Sequence, residues 1–95
     1  MKGSLIRFTP IAAGFIAKLP PENRKIIPQA LDEIRLNPHS GYDLQQELSG
    51  FNSFKAKRYR VIYKVDEAGQ SVDVYLVGHR RDVYEQLGVL LRRLT

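Results

Sequence analysis

The sequence contains no cysteine, no tryptophan and only one methionine. Without cysteine, the chain has no disulfide, no thiolate zinc ligand and no cysteine nucleophile, and a reducing compartment is the simplest expectation. It has no signal-peptide pattern at its start and no apolar run approaching the roughly 20 residues of a membrane-spanning helix. We therefore expect a cytoplasmic protein without a membrane partner.

The composition predicts one globular domain over residues 1–95, since 43% of the residues are hydrophobic and 26% are charged. The net charge of +5 is unevenly placed, because residues 51–95 carry nine Lys and Arg against five Asp and Glu. A basic half is typical of a protein that binds a polyanion, and it is also typical of a merely solvated surface. The charge alone leaves both interpretations open.

The first half of the chain predicts one strand and two helices. Residues 5–8 form the strand, and Thr9 is placed to cap a helix over residues 10–18. A second helix is expected from Pro21 or Glu22 to before Asn37, with Pro28 either kinking it or starting its better-formed part. Residues 37–52 read as mainly loop, tied to the core by Leu44 and Leu48.

The second half changes to a period of two, which predicts three strands. The alternation runs from Phe54, breaks near Arg58, resumes over residues 59–65 and returns over residues 72–77 to end at Gly78. A last helix follows, with an apolar stripe of Val83, Leu87, Leu90, Leu91 and Leu94. The order β-α-α-β-β-β-α predicts an α+β fold: a small, mainly antiparallel sheet, an N-terminal helical hairpin on one face, and a C-terminal helix. The other face is expected to stay free for Lys and Arg side chains.

Metal and cofactor motifs are missing from the sequence. His39 and His79 lie far apart, and no HExxH, Walker or GxGxxG pattern is present. Paired carboxylates such as Asp32 and Glu33 fit a helix surface better than a general acid and base. We expect no metal and no cofactor.

The basic residues offer a different chemistry. Lys55 and Lys57 are two apart on a predicted strand and so are expected on one sheet face, with Arg60 on the next strand and Arg80 after another. Such a set can be scattered solvated charge, or it can cleave RNA without a metal when the 2′-hydroxyl attacks the adjacent phosphate. A lysine crowded by cations can act as the base, arginine binds phosphate through its fork of donors, and a tyrosine such as Tyr84 can stack on a base.

Three motifs together resemble the RelE toxins of the RelE/ParE toxin–antitoxin superfamily. They are Phe54-Lys55-Ala56-Lys57, Tyr59-Arg60-Val61-Ile62-Tyr63 and Val77-Gly78-His79-Arg80-Arg81-Asp82-Val83-Tyr84. The resemblance implies a RelE-like microbial RNase fold and a ribosome-dependent endoribonuclease that cuts mRNA in the ribosomal A site and so inhibits translation. It also implies three partners, which are mRNA, the ribosome and a RelB-like antitoxin that neutralises the toxin.

The resemblance implies a role for each matching residue. Lys57 is the expected general base, Lys55 holds the phosphate, and Arg60 stabilises the transition state. Arg80 is the general acid or leaving-group stabiliser, and Tyr84 stacks on the mRNA. Contacts to RNA or the ribosome are expected from Arg58, Lys64, His79 and Arg81.

Two other functions remain open for the same fold. A ParE-like relative would inhibit DNA gyrase, although such proteins lack the full Lys and Arg set. A non-catalytic RNA-binding or ribosome-binding module would bind ribosomes with a steep salt dependence and leave the mRNA intact.

Overall fold

A computed structural model describes residues 4–94 and contains a five-stranded sheet in the order β1-β5-β4-β3-β2. The strands are β1 Leu5–Phe8, β2 Tyr42–Asp43, β3 Asn52–Ala56, β4 Tyr59–Asp66 and β5 Ser71–His79. The helices are α1 Pro10–Ala17, α2 Pro21–Arg24, α3 Ile26–Leu36 and α4 Val83–Leu94, with a 3₁₀ turn at Gln46–Leu48. Strand β1 is parallel to β5 and every other pair is antiparallel. The predicted α+β class and mainly antiparallel sheet are confirmed.

Helix α1 begins as the sequence predicts. The Thr9 hydroxyl accepts a hydrogen bond from the Ala12 N–H at 3.1 Å and donates one to the Tyr75 carbonyl at 2.9 Å. The cap therefore satisfies a backbone donor that the first helical turn leaves unpaired, and it also ties the helix to β5.

The predicted second helix is in fact two helices, α2 and α3, with a break at Lys25. Pro28 is the third residue of α3, where the proline lacks only a donor that would have no partner within the helix. Pro28 therefore marks the start of the better-formed helix and does not kink its interior.

Helices cover both faces of the sheet, which corrects the expectation of a free basic face. One core cluster joins α1 and α3 to the sheet, around Ala12, Ile34 and Val61. A second cluster lies on the opposite face, where Val83 and Leu87 of α4 pack with a set from the sheet and the 44–51 segment. That set is Phe51, Ile62 and Leu76, with Leu44 and Leu48 against it as predicted. The Leu94 side chain lies outside the described residues.

A bulge in β5 changes which side chains face α4. Ile62 pairs with Leu76, whereas Tyr63 pairs with Val74, so Tyr75 is an extra residue. Beyond it the alternation reverses, and Leu76 joins the α4 cluster while Val77 joins the other core. The strand also continues to His79 and does not end at Gly78.

The predicted loop over residues 37–52 contains the short strand β2 and is held by Tyr63. This side chain is fully buried, and its hydroxyl donates to the Pro38 carbonyl at 2.8 Å and accepts from the Gly41 N–H at 3.1 Å. Burial raises the pKa of Tyr63 above its ordinary value of 10.0. Within the described residues, no helix is long and apolar enough to cross a membrane.

Candidate functional site

The hairpin between β3 and β4 turns through only two residues, Lys57 and Arg58, since Ala56 pairs with Tyr59. Lys57 has a φ of +59°, in the left-handed region that favours glycine. The expectation that Lys55 and Lys57 share one strand face is therefore wrong, because the strand ends at Ala56. Period-two alternation missed this because the turn starts one residue before the break that Arg58 suggests.

Lys55 and Arg60 lie directly opposite each other across the β3–β4 ladder, and Arg60 lies opposite Gly78 on β5. The Cβ atoms of such a cross-strand pair are about 5 Å apart. Both side chains lie on the face of the sheet that α4 partly covers, since Ile62, two residues from Arg60, packs under α4. Two like charges placed opposite each other disfavour folding, and such a conflict with a local rule is typical of a functional site.

Arg60 is also tied to the turn. Its Nη1 donates to the carbonyls of Lys57 at 2.9 Å and Tyr59 at 2.8 Å. A guanidinium has five N–H donors, and those on Nε and Nη2 have no hydrogen-bond partner within residues 4–94, so they remain for an anionic ligand. The turn therefore fixes the direction from which Arg60 can offer its fork to a phosphate.

Arg80 reaches the same end of the sheet through the backbone. Its N–H donates to the Arg58 carbonyl at 2.8 Å, which extends the β4–β5 pairing beyond His79. Arg81 follows directly. The structure thus gathers six basic residues at one end of the sheet, here called the basic end: Lys55, Lys57, Arg58, Arg60, Arg80 and Arg81.

The basic end carries uncompensated positive charge. Arg60 is half-buried and the other five side chains are exposed. No ion pair to a carboxylate is found for these six among residues 4–94. Arg7, by contrast, pairs with Asp73 at 2.7 Å, and its pKa is raised by that carboxylate. Asp73 lies toward the other end of the sheet, so its carboxylate does not neutralise the basic end, which is suited to a polyanion.

Tyr84 approaches the same face from the first turn of α4. Its hydroxyl forms a hydrogen bond with the hydroxyl of Ser53, with the oxygens 2.8 Å apart. Tyr84 also lines an open groove of about 560 Å³ between α4 and the 3₁₀ turn, whose other lining residues are Glu47, Leu48, Glu85, Gly88, Leu91 and Arg92. Sequence reasoning missed Ser53 because the predicted strand begins only at Phe54, whereas β3 begins at Asn52 and places Ser53 on the same face as Lys55.

Two of the expected RNA contacts lie outside the basic end. His79 pairs with Tyr59 and shares its face, which is the opposite side of the sheet from Arg60, and its Nδ1 accepts from the Arg81 N–H at 3.2 Å. Lys64 lies four residues from Arg60 along β4, with its Nζ 4.6 Å from the centre of the Phe51 ring. Within residues 4–94, no group of three or more His, Cys, Asp or Glu side chains is placed to hold a metal ion.

Comparisons with known proteins agree on one family. A family model described as the ParE toxin of a type II toxin–antitoxin system, parDE, matches residues 6–84. Toxin RelG of Mycobacterium tuberculosis is 31% identical over 83 residues, which are 85% of this chain and 95% of that relative. The chain belongs to the RelE/ParE toxin family.

The solved structures give the same fold for this RelE/ParE toxin. The RelBE2 toxin–antitoxin complex of Mycobacterium tuberculosis contains a chain that is 30% identical, with a TM-score of 0.76 over 82% of this chain and 99% of that one. A free mutant of Escherichia coli toxin RelE is 20% identical, with a TM-score of 0.77 over 98% and 99% of the two chains. The protein is accordingly the toxin of a toxin–antitoxin system, and the residues matched by the family model include the whole basic end and Tyr84.

Proposed function

We propose that this toxin is an endoribonuclease that cuts mRNA in the ribosomal A site, in the cytoplasm, and so inhibits translation. The observation that supports it best is the convergence of Lys55, Arg60 and Arg80 with the strained Lys57 at one end of the sheet. Fixed cations aimed at a phosphate provide the electrostatic stabilisation that phosphodiester cleavage needs. The groove beside Tyr84 adds an aromatic surface on the same face.

The proposed reaction needs no metal, because the substrate supplies its own nucleophile. Lys57 takes the proton of the 2′-hydroxyl, whose oxygen forms a bond to the adjacent phosphorus while the bond from phosphorus to the 5′-oxygen breaks. Lys55 and Arg60 hold the phosphate oxygens as negative charge develops. Arg80 stabilises the departing 5′-oxygen, which takes a proton from Arg80 as general acid or from water. The products are a 2′,3′-cyclic phosphate and a 5′-hydroxyl.

The remaining residues of the proposed site bind the mRNA and the ribosome. Tyr84 stacks on a base of the mRNA, as aromatic side chains do with unpaired nucleotides. Arg58 and Arg81 flank the catalytic set and contact RNA, and Lys64 and His79 extend these contacts to the ribosome. A RelB-like antitoxin neutralises the toxin, which is supported by the 30% identical chain that was solved as a toxin–antitoxin complex.

The test is cleavage of mRNA in programmed ribosomes. Purified toxin is added to stalled complexes with a defined A-site codon, and the mRNA ends are mapped. The expected result is a cut within that codon that Lys57→Ala, Arg60→Ala and Arg80→Ala each reduce by about 10²–10⁴-fold. Arg35→Ala is the matched control, because this substitution also removes one positive charge. Arg35 lies on α3 near the N-terminal end of β1, away from the basic end. The absence of a cut with the parent protein would overturn the proposal.

A ParE-like gyrase inhibitor is the second candidate, and the match to the ParE toxin model favours it. In that case the toxin would block supercoiling by purified gyrase and leave ribosome-bound mRNA intact. A non-catalytic ribosome-binding module would do neither, and its affinity for ribosomes would fall steeply with salt. The cleavage and supercoiling assays, run on the same preparation, separate all three.

A further inference from the structure

Ser53 is a buried polar side chain on β3, the strand next to the edge strand β2. It is 3% exposed and lies on β3 between Tyr42 of β2 and Ile62 of β4. Its hydroxyl meets that of Tyr84 at 2.8 Å. Since a buried hydroxyl without a partner is costly, this bond favours one placement of the first turn of α4 over the sheet.

The partner hydroxyl is that of Tyr84, whose side chain is packed on one part and open on another. Tyr84 is half-buried: part of it packs on the α4 cluster, and part of it lines the open groove of about 560 Å³. Apolar contacts, which are non-directional, hold the helix on the sheet through Val83 and Leu87. A directional bond at the end of the ring restricts its rotation, so less side-chain entropy is lost when a ligand binds in the groove.

Strand geometry relates this bond to the basic end. Ser53 and Lys55 are two residues apart on β3, so they lie on the same face with their Cα atoms about 7 Å apart. Lys55 in turn lies opposite Arg60. The Tyr84 hydroxyl is thus anchored to the same strand that carries one cation of the site and neighbours the strand that carries another.

We propose that Ser53 is a positioning residue of the proposed ribonuclease, which fixes the Tyr84 ring at the height and direction needed to stack on a nucleobase while the cations hold the neighbouring phosphate. The inference rests on the proposed function. It assigns to Ser53 no contact with the RNA and no part in proton transfer. The ring is in place before substrate arrives, and the loss of the bond lets it rotate away.

The test is a double-mutant cycle between Ser53→Ala and Tyr84→Phe, read out as mRNA cleavage in programmed ribosomes. Each single variant is expected to lower kcat by about 10- to 100-fold with an unchanged KM for ribosomes, because the contacts of the basic end stay in place. The double variant is expected to be no worse than either single one, since both remove the same bond. Independent effects that multiply in the double variant would overturn the inference.

Ser71 provides a matched control. It is also a buried serine of the sheet, 2% exposed, but its hydroxyl has no hydrogen-bond partner among residues 4–94. Ser71→Ala is therefore expected to cut mRNA at the parent rate. Parent activity in Ser53→Ala, or an equal loss in Ser71→Ala, would show that the bond to Tyr84 is not what matters.

Hydrogen exchange in the free toxin gives a second measurement that does not depend on cleavage. Amides in the first turns of α4, including Gln86, are expected to exchange about tenfold faster in Ser53→Ala and unchanged in Ser71→Ala. Unchanged exchange together with parent cleavage would overturn the positioning role and leave the proposed function standing. A parent protein that never cuts mRNA would overturn the proposed function and this inference with it.

Discussion

Replacing Lys57 by glycine is expected to separate stability from activity. Its φ of +59° costs an L-residue about 1–2 kcal/mol, whereas glycine adopts this conformation freely. The greater freedom of glycine in the unfolded chain offsets about 0.5–1 kcal/mol of that gain. We therefore expect Lys57→Gly to have a free energy of unfolding about 0.5–1 kcal/mol higher than Lys57→Ala, while both lose cleavage activity by about 10²–10⁴-fold.

The assay compares thermal unfolding and mRNA cleavage for the two variants. For a domain of this size the expected stability difference raises the Tm of Lys57→Gly by about 2–8 °C over Lys57→Ala. The adjacent residue is the control, because Arg58 is not among the residues with positive φ. Arg58→Gly is expected to be about 0.5–1 kcal/mol less stable than Arg58→Ala.

Either half of the reasoning can be refuted separately. A Lys57→Gly variant no more stable than Lys57→Ala would mean that the turn carries no strain at this residue. A Lys57→Gly variant that cuts mRNA at the parent rate would remove Lys57 from the reaction. If both expectations hold, the turn keeps a strained lysine because its side chain is needed for cleavage. Backbone strain is commonly found at functional sites.

Three further predictions concern the packing around the site. Tyr63→Phe removes the hydroxyl that donates to the Pro38 carbonyl and accepts from the Gly41 N–H. Urea unfolding at pH 7 is therefore expected to show a free energy of unfolding about 1–3 kcal/mol lower than that of the parent. Because the pKa of Tyr63 is raised in the folded protein, the unfolded chain loses this proton first above pH 10, and the parent loses stability there. The difference in free energy of unfolding between the parent and Tyr63→Phe is therefore expected to narrow by up to about 1.4 kcal/mol per pH unit. Gly78→Ala is expected to cost about 1–3 kcal/mol and to lower cleavage, since a Cβ would lie 3.2 Å from the Cβ and 3.1 Å from the Cγ2 of the buried Val83 on α4. Leu87→Ala is expected to cost about 2–5 kcal/mol, because the side chain is fully buried between α4 and the sheet.

Each of these has a result that would contradict it. A difference in free energy of unfolding between Tyr63→Phe and the parent that stays constant from pH 7 to 11 would show that Tyr63 titrates as in the unfolded chain. Parent stability in Gly78→Ala would mean that α4 does not pack on this glycine. A loss below about 1 kcal/mol in Leu87→Ala would mean that α4 is not firmly docked.

The helix and strand pattern was largely predictable because local signals and tertiary packing agree. Thr9 before a proline and an apolar period of 3.6 mark α1, and the period of two marks the central hairpins. Prediction failed where one residue changes the geometry. The bulge at Tyr75 moves Leu76 to the α4 face, and no residue type in β5 signals it.

The sequence motifs single out the residues that the structure brings to the basic end, but they do not predict its geometry. The basic residues and Tyr84 were identified from their motifs, whereas the two-residue turn that carries Lys57 depends on the pairing of Ala56 with Tyr59. Ser53 was missed because a lone serine in a strand has no sequence signature, and only the docking of α4 gives it a partner. The sequence also did not show that α4 covers the second face, because an apolar stripe does not tell which face of the sheet a helix packs on.

The most direct test of the account is cleavage of an A-site codon in which one ribose lacks its 2′-hydroxyl. The proposed reaction needs that hydroxyl as nucleophile, so the all-ribose mRNA is expected to be cut to a 2′,3′-cyclic phosphate and a 5′-hydroxyl. The mRNA with a 2′-deoxy nucleotide before the scissile bond is expected to stay intact there. A cut of equal rate beside the deoxy nucleotide, or no cut in either mRNA, would contradict the account.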